Sequence, residues 1–148
     1  MVKLIASVGG IGYIKGGGTI AAAVWCIVWY CLQVNNPNVS FQITTLLLIT
    51  ILGIWVANIV ENDWGKDSSK VVIDEVAGVA LTLVNSPVRW YYVLIGFTLF
   101  RFFDIAKPLG IRKMERLPKG WGVMMDDLLA GVYGLIILQL VVALKFLD

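Results

Sequence analysis

From Phe41 to Val60 the chain carries no charged side chain, and from Leu128 to Leu147 only Lys145 interrupts a second apolar run. A helix needs about 20 apolar residues to cross the hydrocarbon core of a bilayer, and both windows have that length. With a mean hydropathy of +0.83 over 148 residues, the chain falls in the membrane class and does not read as a soluble domain. Three more apolar windows, Thr19 to Val34, Val71 to Val84 and Trp90 to Phe103, are shorter. The last two are joined by NSPVR and read as a helical hairpin, either spanning with its charged ends included or re-entrant. The expected fold is all-α: an integral membrane helical bundle of about five helices, some short or re-entrant, in a single domain over residues 1–148.

Threading the five windows alternately through a bilayer, with the N-terminus cytoplasmic, sorts the charges. Of 12 basic residues, Lys3, Lys15, Lys66, Lys70, Arg101, Lys107, Arg112, Lys113, Arg116 and Lys119 fall inside, and Arg89 and Lys145 fall outside. That asymmetry is the positive-inside pattern. The same threading puts Glu61, Asp63, Asp67, Asp74, Glu75, Asp104, Glu115, Asp126 and Asp127 on the inner face, although the acids played no part in choosing it. Trp90, Tyr91 and Tyr92 fall at the opposite interface, where amphipathic rings settle. A polar site with charges of both signs is therefore expected at the cytoplasmic boundary.

Several chemistries are excluded by what the chain lacks. It has no histidine, which removes phosphohistidine, Ser-His and imidazole-zinc chemistry. Cys26 and Cys31 lie within the first apolar window, at a spacing that suits neither zinc nor a thiol phosphatase loop, and read as packing residues. A net charge of +2 offers no footprint for nucleic acid. Met1 to Tyr13 is glycine-rich and weakly apolar, so no cleavable signal peptide is expected.

The acids are flush with helix ends: Asp74 and Glu75 in VVIDEVAG, Asp104 in FRFFDIAKP, Asp126 and Asp127 in VMMDDLLAG. An ionised carboxylate at such depth costs roughly 2 to 4 kcal/mol without a partner, so a cation or a matched base is expected beside each. Helix N-capping explains one such aspartate. Three acidic segments, two of them doubled, point instead to clustered ligands, and carboxylates without imidazole or thiolate select a hard ion, Mg2+ or Mn2+. Asp74 and Gly78, like Asp127 and Gly131, are four apart, which puts acid and small residue on one helix face and lets a neighbouring helix approach closely.

Arg101, Asp104 and Lys107 follow at intervals of three and would share a face if the helix continues to Pro108. Two readings apply to them: a cradle for phosphoryl oxygens, or a salt-bridged snorkelling face. Arg112, Lys113, Arg116 and Lys119 form a basic loop that anionic head groups would attract. Upstream, KGGGT frees backbone amides for an anion nest at a helix start, with Gly18 and Thr19 as candidate phosphate ligands, although the lysine precedes the glycines and the spacing is not that of a Walker loop.

The order of these motifs resembles the phosphatidylglycerophosphatase A family of bacterial integral-membrane enzymes. The resemblance covers nearly the whole chain and is strongest in KDSSKVVIDEVAG, FTLFRFFDIAKPLGIR and GWGVMMDDLLAG, while GGGT is similar to the family's proline-glycine-threonine segment. Thr19, Asp67, Asp74, Glu75, Arg101, Asp104, Lys107, Arg112, Asp126 and Asp127 stand at matching positions. Gly17 and Gly110 replace prolines, and Pro118 and Lys119 stand where a His-Gly pair is frequent.

The resemblance implies Mg2+-dependent hydrolysis of phosphatidylglycerophosphate to phosphatidylglycerol at the cytoplasmic leaflet of the bacterial inner membrane. It suggests Asp74, Glu75, Asp104, Asp126 and Asp127 as catalytic metal ligands. Gly18, Thr19, Arg101, Lys107 and Arg112 would be phosphate ligands, and either water or a carboxylate the nucleophile. The competing reading is a small transporter or channel with a carboxylate cation site, which would distribute acids through the bilayer depth; here they gather at one face. A CDP-alcohol phosphotransferase is disfavoured because its spaced aspartate pattern is not found.

Overall fold

The computed structural model describes residues 1–145; the end of the 128–147 window, including Leu147, lies outside them. All regular structure among the described residues is helical. The order is α1 (Val2–Ala6), a 3-10 turn (Ile11–Tyr13), α2 (Gly17–Gln33), α3 (Val39–Trp64), α4 (Ile73–Thr82), α5 (Trp90–Ala106), α6 (Ile111–Met114) and α7 (Gly120–Ala143). Each of the five apolar windows is a helix, but the count rises to seven because α1 and α6 are too short to leave an apolar period in the sequence. Among the described residues only α3 and α7 are long and apolar enough to cross a membrane, and α2, α4 and α5 are the shorter helices of the bundle.

Local chemistry sets several helix ends. The Asn38 side chain caps α3 by accepting from the Phe41 amide at 2.9 Å, and Gly65, at φ 82°, stops it. Lys107 ends α5 in the left-handed region, immediately before Pro108. The start of α7 has a tertiary origin: no side chain of its own caps it, and the Gly120 amide donates instead to Asn58 Oδ1 of α3 at 2.7 Å. For that reason the helix begins eight positions before the expected Leu128, and Asp126 and Asp127 lie about two turns inside it.

α4 crosses α7 at the centre of the bundle. A Cβ on Gly131 would lie 2.5 Å from the Gly78 carbonyl oxygen, and one on Gly78 would lie 2.7 Å from the Asp127 carbonyl oxygen and 2.3 Å from the Phe100 ring. The two glycines therefore allow backbone-to-backbone contact, as the four-residue spacing anticipates. One turn on, the Thr82 hydroxyl lies 3.1 Å from the Gly78 carbonyl and 3.2 Å from the Gly131 carbonyl, which bonds the crossing. Val79, Leu83, Tyr92, Phe100 and Leu138 pack on one side of it, and Val56, Ala57, Ile73, Ala77 and Met124 on the other.

The two ends of the bundle differ in chemistry. At one, Gln33 Oε1 accepts from Gln42 Nε2 at 3.0 Å and from the Asn38 amide at 2.8 Å. Gln42 Oε1 accepts from the Asn85 amide at 2.9 Å, and Gln139 Nε2 donates to the Val84 carbonyl at 3.1 Å. Apart from Arg89 at the start of α5 and Lys145 after α7, the charges of the described residues lie at the other end, where Lys3 of α1 pairs with Asp63 in the last turn of α3 at 2.8 Å. Along α3, Leu47, Leu48, Ile51 and Trp55 are each more than half exposed, an apolar face that water would penalise.

Replacing Gly131 with valine is expected to destabilise the fold by at least about 2 kcal/mol through overpacking of the crossing. Thermal unfolding in detergent checks this: the midpoint should fall by several degrees, whereas Leu140→Val, on the exposed side of the same helix, should leave it nearly unmoved.

Candidate active site

The charged end holds a cavity of about 300 Å3. α4 contributes Asp74 and Glu75 from its first turn, α5 contributes Asp104 from its last, and α7 contributes Asp126 and Asp127. The loop before α4 adds Asp67, Ser68 and Ser69, and the segment after α5 adds Lys107 and Glu115. All five carboxylates expected as ligands therefore meet, although they come from three helices. None caps its helix: α4 has Val72 at its N-cap position with no side-chain cap bond, and α7 starts six positions before Asp126.

The cavity divides these acids by partner. Asp74, Glu75 and Asp127 each offer a carboxylate oxygen within 4.8 Å of the others. Asp74 Oδ1, Glu75 Oε2 and Asp127 Oδ2 are buried with no hydrogen-bond partner in the protein. Three buried like charges with idle acceptors would be strongly unfavourable alone, so the group suits a shared cation. Asp126 differs: its Oδ1 accepts from the Asp127 amide at 3.0 Å and its Oδ2 from Lys107 Nζ at 2.6 Å. Asp104 is paired with Arg101. Two of the five expected ligands thus neutralise bases, while three have oxygens free for an ion.

Lys107 departs from the one-face arrangement expected of Arg101, Asp104 and Lys107. α5 stops at Ala106, and Lys107 adopts φ 45°, ψ 51°. That conformation costs a non-glycine residue about 1 kcal/mol. The Lys107 Nζ lies 2.6 Å from both Asp126 and Glu115, while Asp104 pairs with Arg101. Burial alone would lower the pKa of this ammonium. The hydrogen bonds to Asp126 and Glu115 outweigh it and hold the pKa above the ordinary lysine value, so the group stays charged throughout the neutral range.

A second cavity of about 360 Å3 adjoins the first, sharing Glu75 and Ser69 with it. It is lined by Lys15, Gly16, Gly17, Gly18 and Thr19 at the start of α2, and by Arg101. Gly16 is left-handed at φ 78°, and a Cβ on Gly18 would lie 1.9 Å from Glu75 Oε1. The missing side chain at position 18 is what lets the Glu75 carboxylate reach the positive end of α2. Gly18, Thr19 and Arg101 thus fall together as expected. Arg112 does not join them: it is exposed on α6 and lines neither cavity.

Sequence reasoning did not single out Lys15, Ser69 or Glu115. Ser69 and Lys15 flank quoted motifs, so proximity to VVIDEVAG and GGGT was an available signal. Glu115 had none, because a turn and α6 separate it from Lys107 and no helical period links them.

Hard oxygen donors and bases gathered at one end of an apolar bundle suit phosphoryl chemistry, and comparison with known proteins shows a phosphatase of a family that acts on phospholipid. Residues 4–142 match the family model described as Phosphatidylglycerophosphatase A, and the chain belongs to that family. It is 41% identical over 100 residues to a phosphatidylglycerophosphatase A of Haemophilus influenzae, covering 66% of this chain and 61% of that one. It is 34% identical over 118 residues to the phosphatidylglycerophosphatase A of Escherichia coli K12, covering 78% and 67% respectively. It is also 49% identical over 127 residues to a Bacteroides thetaiotaomicron protein provisionally named phosphatidylinositol-3-phosphatase, covering 82% of this chain and 80% of that one. No solved structure matches the chain.

Removing the Lys107 charge is expected to strand the buried Asp126 carboxylate. Lys107→Met should lower stability by about 2 kcal/mol, and adding Asp126→Asn should recover part of that loss. A double-mutant cycle of unfolding midpoints checks the coupling; strictly additive effects would contradict the pairing.

Proposed function

We propose that the protein hydrolyses phosphatidylglycerophosphate to phosphatidylglycerol and inorganic phosphate, in a Mg2+-dependent reaction at the cytoplasmic boundary of the bacterial inner membrane. The observation that carries the chemistry is the trio of buried, partnerless oxygens on Asp74, Glu75 and Asp127, set beside Lys107 and Arg101. Family membership and two relatives named phosphatidylglycerophosphatase A support the substrate.

Asp74, Glu75 and Asp127 are the residues that would hold Mg2+: all donors are hard oxygens, and the cavity lining contains no thiol. The ion, when bound, supplies charge neutralisation for the phosphate and a water of lowered pKa. The remaining groups position the substrate. Asp126 and Glu115 fix the Lys107 ammonium, and Asp104 fixes the Arg101 guanidinium, so each base is preorganised before phosphate arrives. The free donors of Lys107 take the non-bridging oxygens of the reacting phosphate, where charge grows in the transition state, while Arg101 lines the adjoining cavity. Asp104 and Asp126 thus act on this reading by orienting bases.

The bilayer placement is supported by the length and composition of α3 and α7, by the exposed apolar face of α3, and by the charge asymmetry of the chain. An apolar groove of about 500 Å3 between α1, α2, α3 and α4, lined by Ile5, Val24, Trp25, Val28 and Val76, offers room for an acyl chain. The transporter reading loses support because the glutamine-lined end offers no second acidic station among the described residues.

The 49% identical relative favours a second reading of the head group, in which the substrate is phosphatidylinositol 3-phosphate. Both lipids share one plan: a phosphodiester joins diacylglycerol to a polyol that carries a terminal phosphomonoester.

Phosphate release from these two lipids and from phosphatidic acid, with and without Mg2+, tests the proposal. Chelator-sensitive release from phosphatidylglycerophosphate with the highest kcat/KM is expected; preference for the inositol lipid would install the second reading. Asp127→Asn should reduce turnover by about a thousandfold or more while the protein stays folded. It should also abolish the rise in thermal midpoint on adding Mg2+, a shift worth about 2.7 kcal/mol at a hundred times Kd in the parent. Near-normal turnover in that variant would remove Asp127 from the chemistry.

A further inference from the structure

The two cavities that meet at Glu75 have opposite electrostatics. In the first, the carboxylates of α4, α5 and α7 outnumber the single ammonium of Lys107, so an anion enters only with a metal ion. The other is lined by Lys15 and Arg101 against Glu75, with Asp104 pairing Arg101 from the neighbouring cavity and the start of α2 adding its positive dipole end, so Lys15 is left without an anionic partner among the described residues. Here an anion is attracted without a metal.

Two details make this second cavity a built site. Arg101 spends one terminal nitrogen on Asp104, yet its Nε is buried without a partner. Lys15 makes no ion pair among the described residues, although Lys3 and Lys107, at the same end of the bundle, are both paired. The backbone contributes as well. The Gly17 amide is used by the Ile14 carbonyl at 2.9 Å and the Ile20 amide by Gly16 at 3.2 Å, which leaves the Gly18 and Thr19 amides among those a helix cannot pair internally. Donors without acceptors surround a space lined by two cations.

We propose that this cavity binds the phosphodiester of the substrate while the carboxylate cavity takes the phosphomonoester, and that Lys15 is a specificity-determining residue that favours lipids carrying both groups over a lipid carrying the monoester alone. The inference rests on the lipid-phosphatase reading and extends it to the non-reacting half of the head group. Because the cavities share Glu75 and Ser69, a short polyol between two phosphates can reach both at once. Phosphatidic acid, with its monoester directly on diacylglycerol, fills only one. Binding energy from the diester is then available to discriminate between them.

The test uses the full chain in mixed micelles and the exposed substitution Lys15→Ala, with Lys66→Ala as a charge-matched control, since Lys66 is exposed and lines neither cavity. For phosphatidylglycerophosphate, Lys15→Ala should raise KM about tenfold with kcat nearly unchanged, the loss of one charged hydrogen bond to a group that does not react. KM for phosphatidic acid should stay within about twofold, Lys66→Ala should move neither, and Lys15→Arg should recover most of the discrimination. A separate arm measures binding of phosphatidylglycerol micelles, which offer the diester alone, in the absence of Mg2+; Lys15→Ala should weaken it about tenfold and Lys66→Ala should not.

Equal effects on both substrates, or none on either, would overturn the subsite and leave the phosphatase reading standing. If the parent protein hydrolyses neither lipid, the phosphatase reading falls. The subsite is then judged by the binding arm, where loss confined to Lys15→Ala upholds a phosphodiester site and unchanged binding refutes it.

Discussion

The contact between Gly78 and Gly131 is the constraint on which the rest of the site depends. Asp74 lies one turn before Gly78 and Asp127 one turn before Gly131, so bringing the two backbones together brings the two carboxylates together. Any side chain at either glycine would hold the helices apart and separate the acids with them. The burial that stabilises the crossing also removes water from the carboxylates, which makes their mutual repulsion expensive and a shared cation favourable. Packing and chemistry are here the same event.

Around that centre the protein uses its remaining acids to manage its bases. Asp104 holds Arg101, while Asp126 and Glu115 hold Lys107, so neither cation collapses onto the partnerless trio of Asp74, Glu75 and Asp127. A left-handed residue at the end of α5 makes this possible, at a local cost that two short ion pairs offset. The result is a cavity where hard anionic donors and fixed cationic donors stand side by side, as phosphoryl transfer requires.

The other end of the bundle completes the contrast. Glutamine side chains close it by bonding the backbone ends of α3 and α4 and one another, satisfying buried polar groups without charge. Gathering most of the charge at one end suits a chain whose α3 presents leucine, isoleucine and tryptophan outward.

Much of this was legible in the sequence. Uncharged runs announced the helices, and the alternation of helix direction predicted that the acids of VVIDEVAG, FRFFDIAKP and VMMDDLLAG would share one end. The glycines four residues beyond Asp74 and Asp127 anticipated the close crossing. The start of α7 was not legible, since its cap comes from Asn58 on another helix. Nor was the division of five acids into three with free oxygens and two that pair with bases, because Glu115 and the turn at Lys107 belong to no periodic pattern. The sequence by itself determined the five apolar helices and the end at which most of the charges gather, since both follow from hydrophobic runs and chain direction. Only the tertiary structure decided which carboxylates have free oxygens for an ion and which neutralise a base. That choice depends on a few ångströms of approach between side chains that are distant along the chain.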